Sequence, residues 1–164
     1  MILCEHGPGG VPALFTAPRE VVVAWHARDV GPALKRAEAA RRAGGWLAGY
    51  VAYEAGYVLE PRLAPLMPKR RAGPLVALGV YDAPQAADAV LAQAADEAAA
   101  ARLSGLRPLV SRKAYGAAFA KVAGYIAAGD CYQINLTFPM AARLEAGSLL
   151  GLYGALRARQ TVGY

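Results

Sequence analysis

Apolar and polar positions recur along the chain with two periods, and the switches between them mark out the elements. Residues 20–25, EVVVAW, follow a turn at Ala17-Pro18 and form a β-branched and aromatic run of strand type. Asp29 offers an N-cap to a helix over residues 30–43, where Leu34, Ala37 and Arg41 fall at helical spacing and Gly44-Gly45 suit a left-handed stop. Residues 46–53 are apolar on both faces, which predicts a central strand. The proline-rich residues 61–74 are a loop, and residues 75–81 another strand. Residues 84–103 predict an alanine-rich helix with a thin apolar face, a surface cover ended by Ser104-Gly105. Ser111 then caps a helix carrying Tyr115, Phe119, Val122 and Ile126 as one apolar stripe, stopped by Gly129. In residues 131–138 strict alternation puts Tyr132, Ile134, Leu136 and Phe138 on one face of a strand and Cys131, Gln133, Asn135 and Thr137 on the other. Ser148 opens a last helix with Leu149, Leu152, Tyr153 and Leu156, and the sequence stops at Thr161-Val162-Gly163-Tyr164 without a cap or charged tail.

Composition narrows the class of protein. With 164 residues, 56% hydrophobic and 18% charged, the chain is neither disordered nor a coiled coil, and it is long enough for one core or one and a half domains. Cys4 and Cys131 stand far apart with no metal-type spacing, which argues against a disulfide framework or zinc ribbon. The start, Met1-Ile2-Leu3-Cys4-Glu5, has no basic leader, and the longest apolar stretches are broken by Glu54 and Lys121. These features predict a cytoplasmic, soluble protein with reduced thiols and no membrane partner. The net charge of +6 divides evenly, with 10 basic and 7 acidic residues in 1–82 and 8 and 5 in 83–164. The one dense cluster, Lys69-Arg70-Arg71, has no interleaved aromatic platform and reads as a solvated loop, so no nucleic-acid partner is expected while anionic small molecules remain compatible.

The usual catalytic motifs are missing. There is no GxxxxGK(S/T), no GxGxxG after a strand and no HExxH, and Gly7-Pro8-Gly9-Gly10 lacks a phosphate-binding context. His6 and His26 are isolated, and the three serines read as caps or turns. What remains is the polar face of residues 131–138, where the amides of Gln133 and Asn135 and the hydroxyl of Thr137 project at period two. Such a face either orients an oxygen-rich anion or forms the wet side of an antiparallel sheet, and alternation alone leaves both open.

Residues 129–137, GDCYQINLT, with the helix before them, closely resemble the opening of the chorismate-binding domain in component I of aminodeoxychorismate synthase and anthranilate synthase. Residues 45–54, GWLAGYVAYE, with Glu60 beyond, look like the N-terminal signature of the para-aminobenzoate branch. The short spacing between the two stretches tilts the resemblance towards aminodeoxychorismate synthase; the nearest alternative is anthranilate synthase component I. The family fold implied is α+β, an antiparallel β-sandwich with outer helices, here truncated, with residues 1–106 as N-terminal domain and 107–164 as the beginning of the catalytic domain.

The resemblance implies a Mg²⁺-dependent reaction in which ammonia from a glutamine amidotransferase subunit replaces the 4-hydroxyl of chorismate. The product, 4-amino-4-deoxychorismate, leads to para-aminobenzoate and folate. It places Gln133, Asn135 and Thr137 in the substrate pocket. Isochorismate-forming relatives carry a lysine where Gln133 stands, to activate water; a glutamine holds the incoming group without taking its proton, which favours amination. After Thr137 the family commonly continues with a basic residue and an aromatic, whereas this chain has Phe138-Pro139-Met140, so an arginine contact there is not carried over. The PIKGT-like lysine and the metal-binding carboxylates of the family come later than Tyr164. The chain alone is therefore expected to be inactive on chorismate and to leave an uncovered apolar face that favours aggregation. A non-catalytic alternative is a docking fragment or an effector pocket for an aromatic amino acid lined by Trp46, Tyr50, Tyr53 and Tyr57, residues that are otherwise core.

Overall fold

The computed structural model describes residues 1–68 and 70–160; Lys69 of the basic cluster and the terminal Thr161-Val162-Gly163-Tyr164 lie outside the described residues. The fold is α+β, with five α-helices and four small antiparallel sheets among the described residues. Backbone packing divides it into two compact units, Met1–Ala89 and a second beginning at Val90.

In the first unit, β1 (Ile2–Cys4) pairs with β2 (Ala13–Phe15), and β2 with β6 (Gln85–Ala86). A second sheet runs β3-β5-β4, built from β3 (Glu20–Ala24), β4 (Trp46–Val51) and β5 (Val76–Tyr81). Its register sets Val22 opposite Leu78, Ala24 opposite Val76 and Leu47 opposite Val80, so these side chains share one face. The helix α1 (Ala27–Arg42) lays Val30 and Ala33 on that face, and with Leu75 and Ala55 they form the main core. Fully burying each valine or leucine contributes roughly 1.5–3 kcal/mol. On the opposite face Ala48 and Tyr81 meet Ala13 and Phe15 of the first sheet, with the Phe15 and Tyr81 rings 5.2 Å apart. The rest of that face, Val21, Val23, Trp46 and Tyr50, is exposed.

Two expectations for this unit are corrected. The two-sided apolarity of residues 46–53 predicts a central strand, yet β4 lies at the edge of its sheet and β5 takes the centre. One face of β4 is covered by α1 at Leu47, the other only at Ala48. Gly49 (φ 150) sits where an added Cβ would stand 2.1 Å from the Ala77 carbonyl oxygen, so only glycine fits there. The N-cap position of α1 is His26, which makes no side-chain capping bond; Asp29 is already in the first turn, where its charge complements the helix dipole. At the other end Arg41 and Arg42 both donate to the Glu38 carboxylate, at 2.9 Å through each Nε, and hold its pKa down at about 2. Beyond β4, a short turn and α2 (Gly56–Leu59) lead into the proline-rich loop.

In the second unit the alanine-rich helix is shorter than the 84–103 expected. Its ordered core, α3 (Asp88–Glu97), ends in a 3-10 turn. Gln85-Ala86 instead joins β2, and β7 (Arg102–Leu103) pairs with β10 (Leu144–Ala146). Pairing with distant strands overrides the local helix propensity at both ends. The helix α5 (Leu149–Arg157) packs against α3 through glycine: a Cβ on Gly154 would stand 2.0 Å from the Ala94 carbonyl oxygen. Ser148 caps α5 by accepting from the Gly151 N–H at 2.9 Å, and its hydroxyl donates to Glu97 at the end of α3. That bond, with one from Gln93 at 2.7 Å, lowers the pKa of Glu97.

The helix α4 (Arg112–Ala128) is bounded as its sequence predicts: Ser111 Oγ accepts from Ala114 N at 3.1 Å, and Gly129 (φ 79) forms the left-handed stop. Its stripe, however, is not a core face, for none of its 17 residues is buried and Phe119 is 59% exposed.

Gly154→Ala is expected to destabilise the chain by roughly 1–3 kcal/mol through overpacking, whereas Gly116→Ala, with open space at its Cβ, is expected to stabilise it by roughly 0.5–1 kcal/mol; urea unfolding of the two variants checks the opposite signs. The depressed Glu38 carboxyl stabilises the fold above its ordinary titration range and loses that contribution as pH falls towards about 2. Between about pH 5 and 2 the melting temperature of the parent chain is therefore expected to fall more steeply than that of Glu38→Gln, with the difference shrinking in high salt because the pairs are exposed.

Candidate functional site

The Gly129 stop turns the chain out of α4, with Asp130 N donating back to the Tyr125 carbonyl at 3.0 Å. Residues 131–138 then run without a β ladder, and regular pairing resumes only where β9 (Met140–Ala141) meets β8 (Arg107–Pro108). The strand expected over residues 131–138 is thus corrected: the alternation is present, but no neighbouring strand among the described residues takes its N–H and C=O groups. Its apolar positions are not core either, since Tyr132 is 93% exposed. The segment is held at its far end, where Leu109 N donates to Pro139 O at 2.9 Å and the Phe138 ring meets Tyr115 edge-on at 5.2 Å. A cleft of about 280 Å³ opens there between Pro108, Val110, Arg112, Tyr115 and Phe138.

Gln133, Asn135 and Thr137 all lie on this segment and all are exposed, with no side-chain hydrogen bond among the described residues. The aromatic set is only partly brought together. Trp46 and Tyr50 project from one face of β4, while Tyr53, 85% exposed, follows in a 3-10 turn against Tyr57 at 6.1 Å. These residues line no enclosed aromatic pocket among the described residues, and Trp46, Tyr50 and Tyr53 are surface rather than core.

One group escaped local pattern. The β8–β9 pairing brings Arg107 beside Arg143 and Glu145 around a cleft of about 430 Å³, with Ser104 Oγ accepting from Arg143 N at 2.8 Å. Residues 36 positions apart meet there, so no short motif signals them.

A family model described as chorismate binding enzyme matches residues 12–164. The chain belongs to the chorismate-binding enzyme family. No curated protein and no solved structure matches it. The match takes in both the β4 region and the segment with Gln133, Asn135 and Thr137. Chorismate-binding enzymes commonly use Mg²⁺, and three or more His, Cys, Asp or Glu side chains do not gather as metal ligands among the described residues. No helix among them is long and apolar enough to cross a membrane.

Because the three polar side chains of residues 133–137 are exposed and make no hydrogen bond among the described residues, Gln133→Ala, Asn135→Ala and Thr137→Ala are each expected to leave unfolding free energy within about 0.5 kcal/mol of the parent. Denaturant titration checks this, and a larger loss would show a structural role.

Proposed function

We propose that this chorismate-binding chain is the N-terminal part of component I of aminodeoxychorismate synthase, with residues 1–106 as N-terminal domain and 107–164 as the start of the catalytic domain. The border at 106 follows the family resemblance; compactness alone divides the chain earlier, because β7 pairs with β10. The reaction is the amination of chorismate to 4-amino-4-deoxychorismate, with ammonia delivered by a glutamine amidotransferase partner in the cytoplasm.

The observation that carries this reading is Gln133, a neutral amide in the segment 129–137. Chorismate is a dicarboxylate, and the amides of Gln133 and Asn135 with the Thr137 hydroxyl present directed donors to such an anion. In the amination, the Gln133 carbonyl oxygen accepts a hydrogen bond from ammonia and fixes its lone pair towards the ring carbon. Ammonia needs no base to make it a nucleophile, whereas water does, and a glutamine has no proton-accepting group near neutral pH. Mg²⁺, when bound in the complete enzyme, supplies charge stabilisation for the carboxylate and the departing hydroxyl. Its ligands and the PIKGT-like lysine are assigned to sequence beyond Tyr164.

The test is an assay with chorismate, Mg²⁺ and ammonia, products separated by chromatography. The 164-residue chain is expected to give none, and the gene product continuing past Tyr164 to give 4-amino-4-deoxychorismate. Anthranilate from the latter would move the protein to the tryptophan branch, and product from the 164-residue chain would overturn the assignment of catalytic groups to later sequence.

A further inference from the structure

The proline-rich loop of the first unit holds a charge that no carboxylate among the described residues pairs with. Arg71, half-buried, donates through Nη2 to the Trp25 carbonyl at 2.6 Å and through Nη1 to the Pro68 carbonyl at 3.0 Å. Its Nε is buried without a partner, and no carboxylate lies within 4.0 Å of the guanidinium among the described residues. Two neutral carbonyls fix the group in place and leave its positive charge uncompensated, an unfavourable state for a partly desolvated ion.

Arg71 lines a cleft of about 360 Å³ with Arg70, Tyr50, Glu54 and Gly73. Arg70 is exposed and unpaired, and the Tyr50 hydroxyl has no hydrogen-bond partner among the described residues. Gly73 lies close to that hydroxyl, since a Cβ there would stand 3.0 Å from it. Two guanidiniums against the one carboxylate of Glu54 leave the lining with an excess of one positive charge. Fixed guanidiniums beside a hydroxyl donor match the charge-assisted recognition of oxyanions.

We propose that this cleft binds a small oxyanion, a carboxylate or a phosphate, between Arg70, Arg71 and the Tyr50 hydroxyl. Arg71 supplies a positioned field and Arg70 and Tyr50 the direct donors, while Glu54 limits the charge the cleft accepts. The site lies in the first unit and does not depend on the assignment of Gln133 or on the branch of chorismate chemistry.

Titration calorimetry of the 164-residue chain with inorganic phosphate and, separately, malonate, at ionic strength held with KCl, tests it. Binding of at least one anion with a Kd on the order of 1 mM is expected, and which anion binds identifies the source. Arg70→Gln and Tyr50→Phe, which leave the bonds to Trp25 and Pro68 untouched, are each expected to weaken binding about five-fold, and Glu54→Gln to tighten it by removing a like charge. Absence of heat and of any melting-temperature rise beyond the KCl control with both anions would overturn the proposal, as would binding that Arg70→Gln and Glu54→Gln leave unchanged.

Discussion

Every buried N–H and C=O must find a partner, and the structure sorts by whether the partner is local or distant. In α4 the helix supplies its own bonds, Ser111 accepts from the Ala114 N–H in the first turn and Gly129 closes the last turn. That element is complete within its own sequence. The sheet β3-β5-β4 depends instead on segments up to 60 positions apart, Glu20 opposite Val80 being the longest link. Once paired it presents a flat apolar face, and α1 closes over it. Residues 131–138 have the side-chain pattern of a strand without such a partner, and so they form no ladder.

The same distinction decides what could be seen in the sequence. Both bounds of α4 and the start of α5 are legible because Ser111, Gly129 and Ser148 act within one turn of themselves. The position of β3 is legible from its β-branched run, and that of β5 as a short apolar run after the proline-rich loop. Which strand sits at the centre is not: apolar residues on both faces describe β4 as well as β5, and only the cross-strand register separates them. The length of α3 is not legible for a related reason, since alanine content reports local propensity and not the competing ladders at Gln85-Ala86 and Arg102–Leu103.

The candidate site follows the same rule. Gln133, Asn135 and Thr137 stand out by their alternate spacing, and all three are exposed on one segment. Family membership came through a stretch of contiguous residues, the kind of information a sequence carries directly. The gathering of Arg107, Arg143 and Glu145 depends on pairing between β8 and β9, and the uncompensated charge on Arg71 depends on two carbonyls from Trp25 and Pro68. Such arrangements are written in three dimensions only.

The close contact at Gly49 has a bearing on how the molecule behaves among its own copies. An outermost strand normally offers a continuous row of unsatisfied backbone groups on which a foreign chain can template itself. β4 is such a strand, and its ladder to β5 runs unbroken from Trp46 to Val51 because Gly49 lets the Ala77 carbonyl come close. Any side chain at position 49 would press β4 away from β5 and lay the inner row open as well, so this glycine guards the sheet against templating by other copies.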